Sequence, residues 1–268
     1  MSIAKWVDQR EMTGFMTFSY QEVLASFPSL TTATVSNELY RMKKKRRIQS
    51  VHKGYYAIVP MPFRDKGIVP PYHYIDQLMA YLDKPYYISL SSAGVLHGAA
   101  HQRPQKLSIM TTLPRITFSK DSNKHLFWNY RKEIPEELLC KTNSETGTIL
   151  YSNIELTAVD LVQYCHLAGG LSAVSTIIEE LAEATDFRQW GEALVKVTTL
   201  PTLQRLGYIL DEVLENSSQA DAIYDILHPH VGELKYRPLS KKHPMNKNAI
   251  NTRWKIFVNH LIEPDEWS

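Results

Sequence analysis

Two cysteines, Cys140 and Cys165, are all that this chain of 268 residues contains, and no metal-ligand spacing joins them. That scarcity argues against a disulfide scaffold or a zinc ribbon and fits a reducing cytoplasm. Long hydrophobic runs are missing as well. No apolar stretch approaches a membrane span and the first residues lack a signal core, so a cytoplasmic protein without a membrane partner is expected. Internal repeats and low-complexity segments are absent. So are a Walker loop, a G-x-S-x-G elbow and a Cys-His nucleophile pattern. What remains is 44% hydrophobic and 22% charged, which is globular rather than disordered. The length suffices for a small domain plus a larger one with a substantial core.

The net charge is only +2, but it is unevenly placed. Residues 1–60 hold nine Lys/Arg against four Asp/Glu, a net of +5, which leaves −3 for the remainder. A basic head on a slightly acidic body is the pattern of a nucleic-acid module joined to a domain of another kind.

Within that head, residues 31–59 read TTATVSNELYRMKKKRR and then IQSVHKGYYAIV. On a helix advancing about 100° per residue, Leu39 and Met42 fall within about 40° of Val35 and make a stripe for burial. Asn37 and Lys44 come out opposite, flanked by Ala33, Tyr40 and Arg41, with Thr32 and Ser36 nearer the start. An amide, a phenol, a guanidinium and an ammonium on one face suit base edges and phosphates. Lys43, Lys45, Arg46 and Arg47 complete a basic run expected to touch phosphates. Ile48, Val51, Tyr55, Ala57 and Val59 favour strands, and Lys53-Gly54 supplies a tight turn. The hairpin would carry His52 and Lys53 at its tip, placed for a phosphate or a minor groove. A basic helix end alone is no more than a solvated, dipole-favoured terminus. Followed by this hairpin, it predicts a winged helix-turn-helix that binds DNA.

Upstream, residues 3–12 predict a first helix with Ile3, Trp6 and Val7 on one side. Ser19 and Glu22 form a capping box for a second helix over Tyr20 to Ser26, and Phe27-Pro28-Ser29 makes the turn into the third. Downstream, Pro60, Pro62, Pro70 and Pro71 bracket a linker. The expected division is therefore a winged helix-turn-helix at 1–65 and a larger mixed domain at 71–268, an α+β class. The second part opens with a helix carrying Ile75, Leu78, Met79 and Leu82. Strand-like and helical stretches then alternate: Pro85 to Leu90, Ser92 to Ala100 (helical), Lys106 to Thr112, Arg115 to Ser119, His125 to Arg131 and Thr148 to Ser152. Thr157 with Asp160, and Ser218 with Asp221, read as caps. Beyond Gly169-Gly170 the chain is mostly helical, with stripes at Leu171, Val174, Ile178 and Leu181 and at Leu203, Leu206, Leu210 and Val213. Trp254, Ile256 and Val258 alternate, which favours a final strand.

Three constellations could carry chemistry, and none is specific. His97 and His101 share zinc-peptidase spacing, but Gly98 stands where the glutamate base belongs. Glu233 and Lys235 with Asp221 and Asp225 loosely echo a metal-dependent nuclease, yet both aspartates fall in a capped helix rather than on a neighbouring strand. Gly169-Gly170 lacks the paired aspartates of a nucleotidyltransferase and reads as a helix C-cap. The expectation is a protein that is not an enzyme, with no catalytic residue, metal or cofactor.

These segments together resemble a known family. TVSNELYRMKKKRRI, KGYYAIVP, IDQLMAYL, YYISLSSAGVLHGAAHQRPQ, TILYSNIELTAVDLV and LQRLGYIL are similar to the AbiEi-type antitoxins of abortive-infection, type IV toxin–antitoxin systems. The resemblance implies an N-terminal winged helix-turn-helix that binds repeats in its own promoter, acting as an autorepressor. It further implies an antitoxin domain at 71–268 that counteracts a nucleotidyltransferase-like toxin. Binding to repeated sites admits a homodimer on DNA. A ligand-responsive winged-helix regulator without a toxin partner, and a DNA-guided nuclease, stand as the alternatives.

Overall fold

A computed structural model of the chain describes residues 1–99, 104–117 and 124–264. It is an α+β fold that separates into two compact units. The first comprises Met1–Tyr87, Gln105–Ile134 and Lys141–Leu150; the second comprises Ile88–Pro104, Pro135–Cys140 and Tyr151–Ser268.

In the first unit, α1 (Ile3–Met12), β1 (Thr17–Ser19), α2 (Tyr20–Ser26), α3 (Thr32–Lys44), β2 (Ile48–His52) and β3 (Tyr55–Ile58) follow in order. Both ends of the α2 capping box are present: Glu22 N–H donates to Ser19 Oγ at 3.1 Å, and Ser19 N–H to Glu22 Oε2 at 2.6 Å. The strands form an antiparallel sheet in the order β1-β3-β2, so the residues just before α2 pair with the hairpin. Ile3, Val7, Phe18, Val23, Phe27, Val35, Leu39, Met42, Ile48 and Ile58 make one core, with Trp6 packed on its side.

Beyond the hairpin come two 3-10 turns, Met61–Phe63 and Pro71–His73, and then α4 (Ile75–Tyr81). A five-stranded sheet follows, β6-β5-β4-β8-β7, built from β4 (Tyr86–Ile88), β5 (Leu107–Thr112), β6 (Leu126–Arg131), β7 (Leu139–Ser144) and β8 (Gly147–Ser152). β5 and β6 run parallel, in register from Leu107 against Leu126 to Thr112 against Arg131.

The compact units do not part at the proline-bracketed segment. Residues up to Tyr87 group with the helices before them. Contacts account for this: the Tyr55 ring stacks on Tyr81 with centroids 4.3 Å apart, and its hydroxyl donates to the Gln77 carbonyl at 3.2 Å. Val69 N–H donates to Gln49 Oε1 at 2.7 Å.

The second unit holds α5 (Leu90–Leu96), α6 (Ile154–Gln163), α7 (Leu171–Ala182), α8 (Phe187–Val197), α9 (Leu200–Tyr208), which continues as a π-helical turn to Val213, and α10 (Ser217–Leu227). α6 is buried from Glu155 to Val162 and is packed by α5, α7, α8 and α9. Three two-residue strands close the chain, β9 (Arg237–Pro238), β10 (Ile250–Asn251) and β11 (Ile256–Phe257).

Several expectations need correction. α6 is capped by Asn153, whose Oδ1 accepts from Leu156 N–H at 2.9 Å, while Thr157 lies inside the helix. α10 is capped by Asn216, one turn ahead of Asp221. In both cases a nearer asparagine takes the capping role that the Thr or Ser spacing suggested. β7 went unread because LCKTNS carries little β-branched content and is only partly buried. Arg115–Ile116–Thr117 form no strand, and the rest of that expected strand lies outside the described residues. His101 also lies outside them.

Trp254 carries the end of the chain. It is fully buried, its Nε1–H donates to Asp211 Oδ2 at 2.8 Å, and its carbonyl accepts from Gln204 Nε2 at 2.8 Å. Its ring lies so close to Gly207 that a Cβ there would fall 2.0 Å from a ring carbon. Gly207→Ala should therefore destabilise the protein by about 1–3 kcal/mol through overpacking, read as a lower urea midpoint. An unchanged midpoint would mean that the indole moves aside without cost.

Candidate nucleic-acid interface

α3 is set by its own ends and by its buried stripe. Thr31 Oγ1 caps it by accepting from Thr34 N–H at 3.2 Å. Val35, Leu39 and Met42 are the buried positions, as the wheel requires. Burying each is worth roughly 1.5–3 kcal/mol, so the rotation of the helix about its axis is fixed from inside. The outward face follows: Thr32, Ala33, Ser36, Asn37, Tyr40, Arg41, Lys43, Lys44 and Lys45 are all exposed.

α2 is locked to the start of that face. Tyr20 Oη lies 3.1 Å from the Thr32 carbonyl and 3.1 Å from Ser36 Oγ. Arg41 forms an i,i+3 pair with Glu38 at 2.7 Å, and Lys44 Nζ sits 5.0 Å from the Tyr40 ring centroid. Asn37 is an exposed amide on α3.

The end of α3 divides the basic run in two. Arg46 takes the left-handed conformation at φ 55°; its N–H donates to the Lys43 carbonyl and that of Arg47 to Met42, closing a Schellman motif. The Arg46 guanidinium turns to the Asp65 carbonyl, and its stem packs on Gly67. Arg47 is half-buried, pairs with Asp8 and lies 3.9 Å from Glu11. Arg64 Nη2 pairs with the same carboxylate, 3.0 Å from Glu11 Oε2. Lys43, Lys44 and Lys45 point outward, whereas Arg46 and Arg47 fasten α3 to the segments around it.

At the hairpin tip, Gly54 adopts φ +71°, a conformation disfavoured for any residue with a Cβ. Its carbonyl accepts from Tyr20 N–H at 2.7 Å, which ties the turn to the α2 N-terminus. Lys53 is exposed. His52 is half-buried with its ring edge-on to Tyr81, centroids 6.3 Å apart. The tip is therefore braced on α4 rather than free, a feature that no local pattern in the hairpin announced.

The catalytic-looking constellations disperse. Asp221 pairs with Arg253, Asp225 lies 3.8 Å from Arg188, and Glu233 lies 3.8 Å from His230. Among the described residues no three His, Cys, Asp or Glu gather as metal ligands. Gly169 and Gly170 both have positive φ and lead from the 3-10 turn at Cys165–Leu167 into α7.

Residues 87–212 match the family described as the AbiEi antitoxin C-terminal domain. The chain carries an AbiEi antitoxin domain. That domain supports an antitoxin of a toxin–antitoxin system, and with it a toxin partner. No curated protein matches the chain. Among solved structures it is similar to the RV2827C protein from Mycobacterium tuberculosis, with a TM-score of 0.70 over 94% of this chain and 89% of that one. At 11% identity this likeness speaks for the fold alone. Among the described residues no helix is long and apolar enough to cross a membrane.

Within the AbiEi domain, His97 ends α5 and its Nε2 lies 2.8 Å from the Ser152 carbonyl, which fixes the Nε2–H tautomer. The ring is 5.0 Å from Tyr151, centroid to centroid. Burial lowers its pKa from the ordinary 6.5, against the raising effects of the Ser152 carbonyl and Glu155. A base whose folded pKa is depressed takes up its proton first in the unfolded chain. Its contribution is therefore intact above about pH 6.5 and is lost as pH falls below that value. His97→Gln, which keeps an N–H donor, should flatten the fall in melting temperature between about pH 6.5 and 5. An identical slope in both proteins would show that His97 charges without cost.

Proposed function

We propose that the chain is an antitoxin that also represses its own promoter. The N-terminal helices and hairpin act as a winged helix-turn-helix, with α3 in the major groove of repeated operator sites. Residues beyond about 71 provide the antitoxin activity, directed against a nucleotidyltransferase-like toxin. The observation that carries the DNA-binding part is the exposed face of α3: Asn37, Tyr40, Arg41 and Lys44 stand opposite the buried Val35, Leu39 and Met42. Asn37 and Arg41 have the donor and acceptor geometry for base edges, while Lys43, Lys45 and Lys53 suit phosphates.

Gel-shift titrations on the promoter fragment test this. Asn37→Ala and Arg41→Ala should each weaken operator binding by roughly 1–3 kcal/mol and relax the preference at one base pair. Unchanged affinity and preference in both variants would remove α3 as the reader. A fragment without operator sites serves as the reference, and the toxin-rescue phenotype of the same variants reports whether antitoxin activity is separable.

The two halves of the basic run should behave differently. Lys43→Ala with Lys45→Ala should flatten the slope of log affinity against log salt by up to about 2 while leaving stability nearly unchanged. Arg47→Ala should instead cost on the order of 1 kcal/mol of stability, because it removes a half-buried guanidinium and leaves Asp8 without that pair, while Glu11 keeps Arg64. A reversal of these two outcomes would exchange the roles assigned to lysine and arginine.

A further inference from the structure

The second unit contains a cavity of about 1090 Å³ between the end of α6, the start of α7, the start of α9 and the segment following β9. Its basic side chains are Arg205, Arg237, Lys241 and Lys242, joined by His166, His243 and His260, and no Asp or Glu lines it among the described residues. Arg253 of the same unit, by contrast, pairs with Asp211 and Asp221.

Arg205 forms the base of the site. It is only 9% exposed, and among the described residues its guanidinium is held by backbone carbonyls: Nε by Pro238 and Leu239 at 3.2 and 3.0 Å, Nη2 by Pro238 at 2.9 Å, Nη1 by Pro201 at 3.4 Å. A buried cation is normally neutralised by a carboxylate, and here carbonyl dipoles stand in for one. Burial disfavours its charged form; Cys165 opposes this, and Arg237 adds like-charge repulsion. Arg237, Lys241 and Lys242 are exposed at the rim.

The walls are of another kind. Val162, Leu171, Pro201 and Leu239 offer apolar surface, and the His243 and His260 rings stack at 4.4 Å. A lone phosphate would leave most of that surface unused, and the volume is at the upper end for small-ligand sites. We propose that this cavity binds a nucleoside polyphosphate, its phosphates on Arg237, Lys241 and Lys242 above Arg205 and its base against the apolar wall. The site would make the antitoxin part responsive to a small anionic metabolite, independently of the DNA face on α3.

Calorimetric titration of the full chain with ATP, GTP and inorganic tripolyphosphate tests the proposal. Saturable binding of at least one nucleotide is expected, at least tenfold tighter than tripolyphosphate. Arg237→Ala with Lys242→Ala should weaken it at least tenfold while circular dichroism stays unchanged; these rim positions spare Arg205, whose loss would disturb folding. Three results would overturn it: no nucleotide binding at millimolar concentration, equal affinity for tripolyphosphate, or unaltered binding by the rim variant. A rim variant that instead loses duplex DNA, in a protein that binds no nucleotide, would make the surface a second nucleic-acid contact.

Discussion

The burial of Val35, Leu39 and Met42 against α1, α2 and the hairpin is the constraint on which the N-terminal surface depends. Three apolar side chains at helical spacing leave α3 one orientation that satisfies them. Every polar residue on the opposite face then takes its place by geometry, with no interaction of its own needed to hold it there. A helix rotated by one residue would push Leu39 toward water and draw Ser36 or Tyr40 inward, a change costing several kcal/mol. The chemistry presented to a partner is thus fixed by residues the partner never meets.

Basic residues adjacent in sequence do different jobs because the chain changes direction among them. Through Lys45 the backbone is still helical or capping and the ammonium groups radiate outward. At Arg46 it turns left-handed, and the Arg46 and Arg47 guanidinium groups fold back, the first onto the Asp65 carbonyl and the second onto Asp8 and Glu11 of α1. The division follows side-chain chemistry too, since a planar fork suits carbonyl and carboxylate partners better than an ammonium does.

This contrast marks how far the sequence could be read. The α3 stripe, the Ser19–Glu22 box, the hairpin and the stripes of α7 and α9 rest on local periodicity and short-range caps, and each lies where the pattern predicted. What escaped depends on contacts between distant residues. Nothing near Arg47 announces Asp8, thirty-nine positions earlier, and nothing near Tyr55 announces Tyr81. β7 escaped because LCKTNS has a single β-branched residue and no fully buried position to mark it. The basic cavity escaped because its lining comes from segments between Val162 and His260, too widely spread for any window to gather.

The proline-bracketed segment from Pro60 to Pro71 has a consequence for the lifetime of the chain. Proteases need several residues drawn out straight into their clefts, and a linker between domains is the usual place to find them. This one is pinned along its length: Arg64 on Glu11 and the Val59 carbonyl, Asp65 by Arg46, Val69 by Gln49. Cutting here must wait until those clasps open together with α1, the turn after α3 and the hairpin, which supply them. The rate of degradation at this point is then set by the opening of the N-terminal fold rather than by the linker's own slack.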